Sequence, residues 1–114
     1  MKRDRPDRDP AYRDDILTAI GAIRTYMHGK TRAQFDRSPM LRDAVMRQLG
    51  IIGEAAASLS AAFKANYPRV PWKSIVGLRQ ILVHRYWNVE PDIVWNTTKK
   101  DIRDLGVRLR RRGA

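Results

Sequence analysis

The sequence contains no cysteine, which removes disulfides, thiolate metal ligands and a cysteine nucleophile together. That composition fits a reducing compartment, and the cytoplasm is the expected location. Histidine is scarce as well. His28 and His84 are the only two, too few for a zinc site without scattered carboxylates, and no His-x3-His pair exists. No apolar run approaches the roughly 20 residues needed to cross a bilayer. The opening MKRDRPDRDP lacks the apolar core of a secretory signal. A phosphate-binding P-loop, a G-x-G-x-x-G turn and a G-x-S-x-G elbow are all missing. Adjacent carboxylates such as Asp14 and Asp15 point in different directions from a helix and make a poor acid–base couple. Neither a metal nor a cofactor is expected.

Negative charge is the other shortage. Twelve Asp and Glu face 23 Lys and Arg, for a net charge of +11 and a pI near 10.9. A field of that sign attracts polyanions, of which nucleic acid is the commonest; acidic protein surfaces are the other class of partner. The C-terminal RLRRRGA holds four arginines, among them Arg110, Arg111 and Arg112, which are candidate RNA contacts or parts of a flexible arm.

With 114 residues, 43% of them hydrophobic, the chain is expected to form one domain with a modest core. Residues 1–8 alternate basic and acidic types without apolar anchors and read as a loose extension. Asp9-Pro10 then resembles an N-cap followed by proline at the first helical position. Ile16, Ala19, Ile20, Ile23 and Met27 form one apolar stripe that Gly29 closes as a left-handed cap. Thr31 to Phe35 reads as a short turn. Ser38-Pro39 repeats the start signal, and Leu41, Val45, Leu49, Ile52, Ala56, Leu59 and Phe63 mark a second helix of about seven turns. Its Gly-, Ala- and Ser-rich middle, GIIGEAAASLSAA, suits close helix approach inside the domain or across a dimer. YPRVPW reads as a loop pinned by Trp72. A third helix is expected from about Pro71 to Trp87, and a last one from Pro91 carries Ile93, Val94, Thr97, Ile102, Leu105 and Leu109. The expected fold is all-α, a bundle of four main helices or five segments, with the domain spanning 9–109 and an Arg-rich tail at 110–114.

The chemistry concentrates in RQILVHRYW, residues 79–87. Arg79, His84, Arg85 and Tyr86 fall within eight residues of an otherwise aliphatic stretch, and burying such groups is costly unless each is paired or faces a cleft. At about 100° per residue an ideal helix sets Tyr86 roughly 20° from Arg79 and His84 about 140° away. A shared site for Arg79 and His84 therefore needs a helix end or a second protomer. The alternative is a structural role, with His84 and Arg79 satisfying backbone carbonyls and carboxylates such as Glu54. Next to Gly29, His28 reads as a residue serving helix-end carbonyls. Trp87 and Trp95 read as core anchors.

These residues bring a family into view. The chain resembles the HepT-like toxins of the HEPN superfamily, whose signature is Arg, four to six residues and His, commonly extended to Arg-x4-His-x-Tyr. Arg79, His84 and Tyr86 occupy those positions. IIGEAAASLS at 51–60, YPRVPWKSIVGLRQILVHRYWNV at 67–89, IVW at 93–95 and KKDI at 99–102 look like the family too, so the resemblance covers about residues 11–109. One position departs: Gln80 stands where the family usually has Asn, with the same amide on a longer stem.

The resemblance implies a HEPN-like homodimer whose two signature segments line a basic cleft, and metal-independent RNA cleavage through attack of the ribose 2′-OH on the adjacent phosphate. Arg79 and His84 would be catalytic, with Gln80 and Glu54 in support and Arg85 as an RNA contact. It also implies a type VII-like toxin–antitoxin pair, in which an MntA-type nucleotidyltransferase antitoxin adds AMP to Tyr86. Two other functions share the fold: a non-catalytic module that binds a nucleotidyltransferase, and an RNA-binding dimer without activity.

Overall fold

The computed structural model describes residues 5–83 and 90–111, and every element within them is helical. After one 3-10 turn at Pro6–Arg8, inside the segment expected to be a loose extension, the order is α1 (Asp9–Met27), α2 (Arg32–Arg37), α3 (Pro39–Ser58), α4 (Ala61–Ala65), α5 (Trp72–Gly77), α6 (Gln80–Val83) and α7 (Pro91–Asn96). A π-helical turn (Thr97–Asp101) then leads into α8 (Ile102–Arg110). The all-α expectation holds. The helices are more broken than periodicity suggested.

The two long helices, α1 and α3, pack on each other, and their stripes are buried: Ile16, Ala19, Ile20, Ile23 and Met27 from α1 meet Val45, Leu49, Ile52 and Ala56 from α3. Fully burying a side chain of this kind stabilises by roughly 1.5–3 kcal/mol, so this seam is the main source of cohesion. Ile102, Leu105 and Leu109 of α8 join it, while α5 and α6 lie on α3.

Local signals behave as their chemistry predicts at three starts and stops. Gly29 takes φ +69°, and Lys30 N–H donates to the Met27 carbonyl at 3.0 Å. Thr31 caps α2 in a full capping box with Gln34. Ser38 caps α3, its hydroxyl accepting from Leu41 N–H at 3.1 Å.

Elsewhere tertiary structure overrides the pattern. Asp9 is not an N-cap; Arg8 holds that position with no side-chain bond. Instead the buried Asp9 carboxylate accepts from Ser60 N–H at 2.8 Å and from the Ser60 hydroxyl at 2.6 Å. That bond sits where the expected seven-turn helix breaks: Leu59 and Ser60 are extended, and the Ser60 hydroxyl accepts from Phe63 N–H at 3.1 Å to start α4. Of the two neighbours placed in the last apolar stripe, Val94 is buried as expected and Ile93 is 57% exposed.

The final helix shows how spacing shapes backbone. Its buried side chains run Val94, Thr98, Ile102, Leu105 and Leu109. Two successive steps of four overrun an ideal α-helix by about 80°. The wider π turn absorbs that overrun: Ile102 N–H donates to the Thr97 carbonyl, five residues back, and all five positions face the core.

Candidate active site

The segment leading to the signature is clamped before it arrives. Phe63, Tyr67 and Trp72 form an aromatic cluster with centroids 5.1 to 6.5 Å apart. The Trp72 indole N–H is shared between the Lys64 and Tyr67 carbonyls, both at 3.1 Å, as the pinned YPRVPW loop required. Val70 and Ile75 are buried below it.

The third helix expected over 71–87 is two short ones across the described residues. α5 stops at Gly77, Leu78 and Arg79 form a turn, and α6 restarts at Gln80. Arg79 N–H donates to the Val76 carbonyl and Ile81 N–H to the Leu78 carbonyl, both at 3.1 Å. Arg79 therefore belongs to a turn that interrupts the helix expected over 71–87. The helix end near His84 on which a shared site was expected to depend lies outside the described residues.

Gly53 on α3 holds that turn in place. A Cβ built on Gly53 would lie 2.2 Å from the Arg79 amide nitrogen, 2.8 Å from the Leu78 carbonyl carbon and 2.9 Å from the Arg79 Cα. The backbone of the signature thus rests directly on the backbone of α3, an approach that only glycine permits. At Gly53 the small-residue stretch serves close packing inside the domain. Sequence reasoning missed Gly53 as a positioning residue, although the small-residue stretch around it was the signal.

The predicted site residues separate as follows. Arg79 and Gln80 are exposed on the turn and on the first residue of α6, and Glu54 is exposed next to Gly53 on α3. Arg79 and Glu54 form no ion pair among the described residues. Arg110 ends α8 and Arg111 is its C-cap, both exposed and on a different element from the signature. His84, Arg85, Tyr86, Trp87 and Arg112 lie outside the described residues. No group of three or more His, Asp or Glu that could hold a metal ion occurs among the described residues, and no described helix is long and apolar enough to cross a membrane.

Comparison with known proteins converges on one family. A family model described as ribonuclease HepT-like matches residues 16–111. A Thermococcus cleftensis protein named as a probable ribonuclease HepT is 34% identical over 105 residues, 92% of this chain and 92% of that one. A Caldanaerobacter subterraneus protein named as a candidate RNase is 36% identical over 105 residues, covering 92% of this chain and 89% of its own. A Methanocaldococcus jannaschii protein named as a gamma-glutamylcyclotransferase and candidate RNase is 39% identical over 94 residues; the match spans 82% of this chain and only 42% of that longer one. No solved structure gives a significant match.

Proposed function

The chain belongs to the HepT-like ribonuclease family, and from that premise we propose that it is a metal-independent endoribonuclease. The observation that carries this reading is the placement of Arg79: the first residue of the family signature sits exposed on a turn that Gly53 fixes against α3.

The chemistry follows from the residue types. The 2′-OH of one ribose attacks the phosphorus of its own 3′-phosphate, and the 5′-oxygen of the next nucleotide leaves. A neutral imidazole near its ordinary pKa of about 6.5 takes the proton from the 2′-OH at physiological pH. A protonated one returns a proton to the leaving oxygen. His84 from each of two protomers supplies this pair. Arg79, always charged, donates two hydrogen bonds to the phosphate oxygens where negative charge builds. Gln80 orients the same phosphate through its amide.

Tyr86 is the control point. Attack of its phenolic oxygen, losing its proton, on the α-phosphorus of ATP, catalysed by a partner nucleotidyltransferase antitoxin, transfers AMP and releases pyrophosphate; the bulky anion two residues from His84 then repels RNA phosphates and fills the cleft. The protein is then the toxin of a type VII-like pair.

The test is RNA cleavage by the purified chain in EDTA, with Arg79→Ala, His84→Ala and a DNA control alongside. RNA is cut to 2′,3′-cyclic phosphate ends, DNA and 2′-O-methyl RNA are not, and both variants are silent. Wild-type activity in His84→Ala overturns the catalytic assignment, and a Tyr86→Phe chain that still gains the mass of AMP on coexpression with the partner moves the modification elsewhere.

A further inference from the structure

A basic surface lies in the groove between α1 and the α7–α8 helix, whose lining includes neither Arg79 nor Gln80. The groove measures about 560 Å³, within the size range of small-ligand pockets. Ile20, Ile23 and Ile102 form an apolar floor, and Arg24, Lys99, Arg103 and Arg110 stand on its rim. All four cations are exposed, and no acidic residue lines the groove among the described residues. None of the four is ion-paired with a carboxylate among the described residues, where the ion pairs are Arg5–Asp7, Arg32–Asp36 and Arg32–Asp92. Like charges gathered without counter-charge repel one another, and a bound polyanion relieves that cost.

The cations form a row. Arg103 and Arg110, seven residues apart on α8, differ by only about 20° in azimuth and stand about 10 Å apart along the axis. Lys99 continues the row one turn earlier, on the π segment, a backbone feature often found at functional sites. It is held there with its ammonium 4.9 Å over the Trp95 ring. From Lys99 to Arg110 the row is about 16 Å long, enough to follow several phosphates of a stacked strand at about 3.4 Å each. A free nucleotide is too short to use it. The apolar floor suits the sugar and base faces of a single strand, whose bases are free to lie on it, whereas in a duplex they are paired and stacked inside.

We infer that this groove, on elements other than the turn that carries Arg79, is an anchoring site for single-stranded RNA. The nature of the polyanion rests on the nuclease reading above. Nonspecific affinity in such a site comes mainly from cations that displace counterions from phosphates, each contact contributing about 0.7 to the salt slope of single-strand binding.

The experiment measures anisotropy of a fluorescein-labelled 2′-O-methyl oligouridine, which binds but cannot be cut, against the full chain over a NaCl series. Arg24→Gln/Arg103→Gln is expected to weaken binding about tenfold and to lower the log–log salt slope by about 1.4, the share of two phosphate contacts. Arg37→Gln/Arg69→Gln, with the same charge change on exposed residues outside the groove, should leave both nearly unchanged. Arg24 and Arg103 are exposed, so their loss leaves the core intact, and circular dichroism checks this. Equal losses in both pairs overturn the inference in favour of diffuse charge. So does polyglutamate that competes as well as oligouridine of equal charge, and so does loss of binding with a halved mass in light scattering, which would make the groove a self-association face. A chain that loses binding in the groove pair but cuts no RNA leaves this inference standing while the nuclease reading fails. A chain that cuts RNA and binds equally well without the groove cations does the converse: the nuclease reading stands and the anchoring site is overturned.

Discussion

Gly53 carries the sharpest consequence of any single residue. Alanine there gains up to about 1 kcal/mol of helix propensity, but its Cβ would sit 2.2 Å from a backbone nitrogen that has no flexible end to move. Overpacking of this kind typically costs about 1–3 kcal/mol. The relief available is displacement of the Leu78–Arg79 turn, and a shift of about 1 Å in a positioned group can cost on the order of a hundredfold in rate. Gly53→Ala is therefore expected to lose most RNA cleavage while melting within a few degrees of wild type. Full activity would separate the α3 contact from the site. Asp9 makes the contrasting case, because its effect is on stability. Asp9→Ala removes two hydrogen bonds to Ser60 and leaves its buried N–H and its O–H donor without an acceptor. A loss of about 2–3 kcal/mol is expected, read as a lower urea midpoint.

Among the elements, α8 depends on a distant side chain for its end. The Arg13 guanidinium of α1 donates to the Leu109 carbonyl, through Nε at 2.8 Å and through a second, short bond from Nη2. A cation placed on the last carbonyls complements the helix dipole as well as filling an orphan acceptor. Arg13→Ala should destabilise by about 1–2 kcal/mol, with amide exchange near residues 107–110 accelerating first. Unchanged exchange there would show that the core contact of Leu109 suffices. The α2–α7 join is of a different kind. Arg32 pairs with Asp36 and Asp92, first through the Asp36 hydrogen bond, and its pKa is raised further above an already high ordinary value. Arg32 and Lys99 both lie against Trp95, which packs on Phe35 with centroids 5.4 Å apart. Exposed pairs like these contribute little individually; the apolar Phe35–Trp95 contact does more of the joining.

For the whole molecule, a net charge of +11 makes RNA binding fall steeply with salt. Cleavage through two copies of His84 requires a dimer. Light scattering of the wild-type chain should give twice 13.2 kDa at working concentration, and activity should fall on dilution below the dissociation constant. Full activity from a monomer would exclude a cleft shared between protomers.

Much of this was legible in the residues. The stripe Ile16, Ala19, Ile20, Ile23 and Met27, the left-handed Gly29 and the Ser38 cap are local facts, set by side-chain periodicity and backbone sterics within a few positions, and the signature Arg79, Gln80, His84 and Tyr86 is a string of letters. What periodicity could not supply were events decided by residues far apart in sequence. The break at Leu59–Ser60 depends on Asp9, 51 residues away. The turn at Leu78–Arg79 depends on the bare α-carbon of Gly53. Arg24 faces the cation row of Lys99, Arg103 and Arg110 only because α1 and α8 share a groove. Sequence determined which helices form, their apolar faces and the chemistry available. Only the packed fold decided where they break and which cations stand together, because those choices are made by contacts between segments.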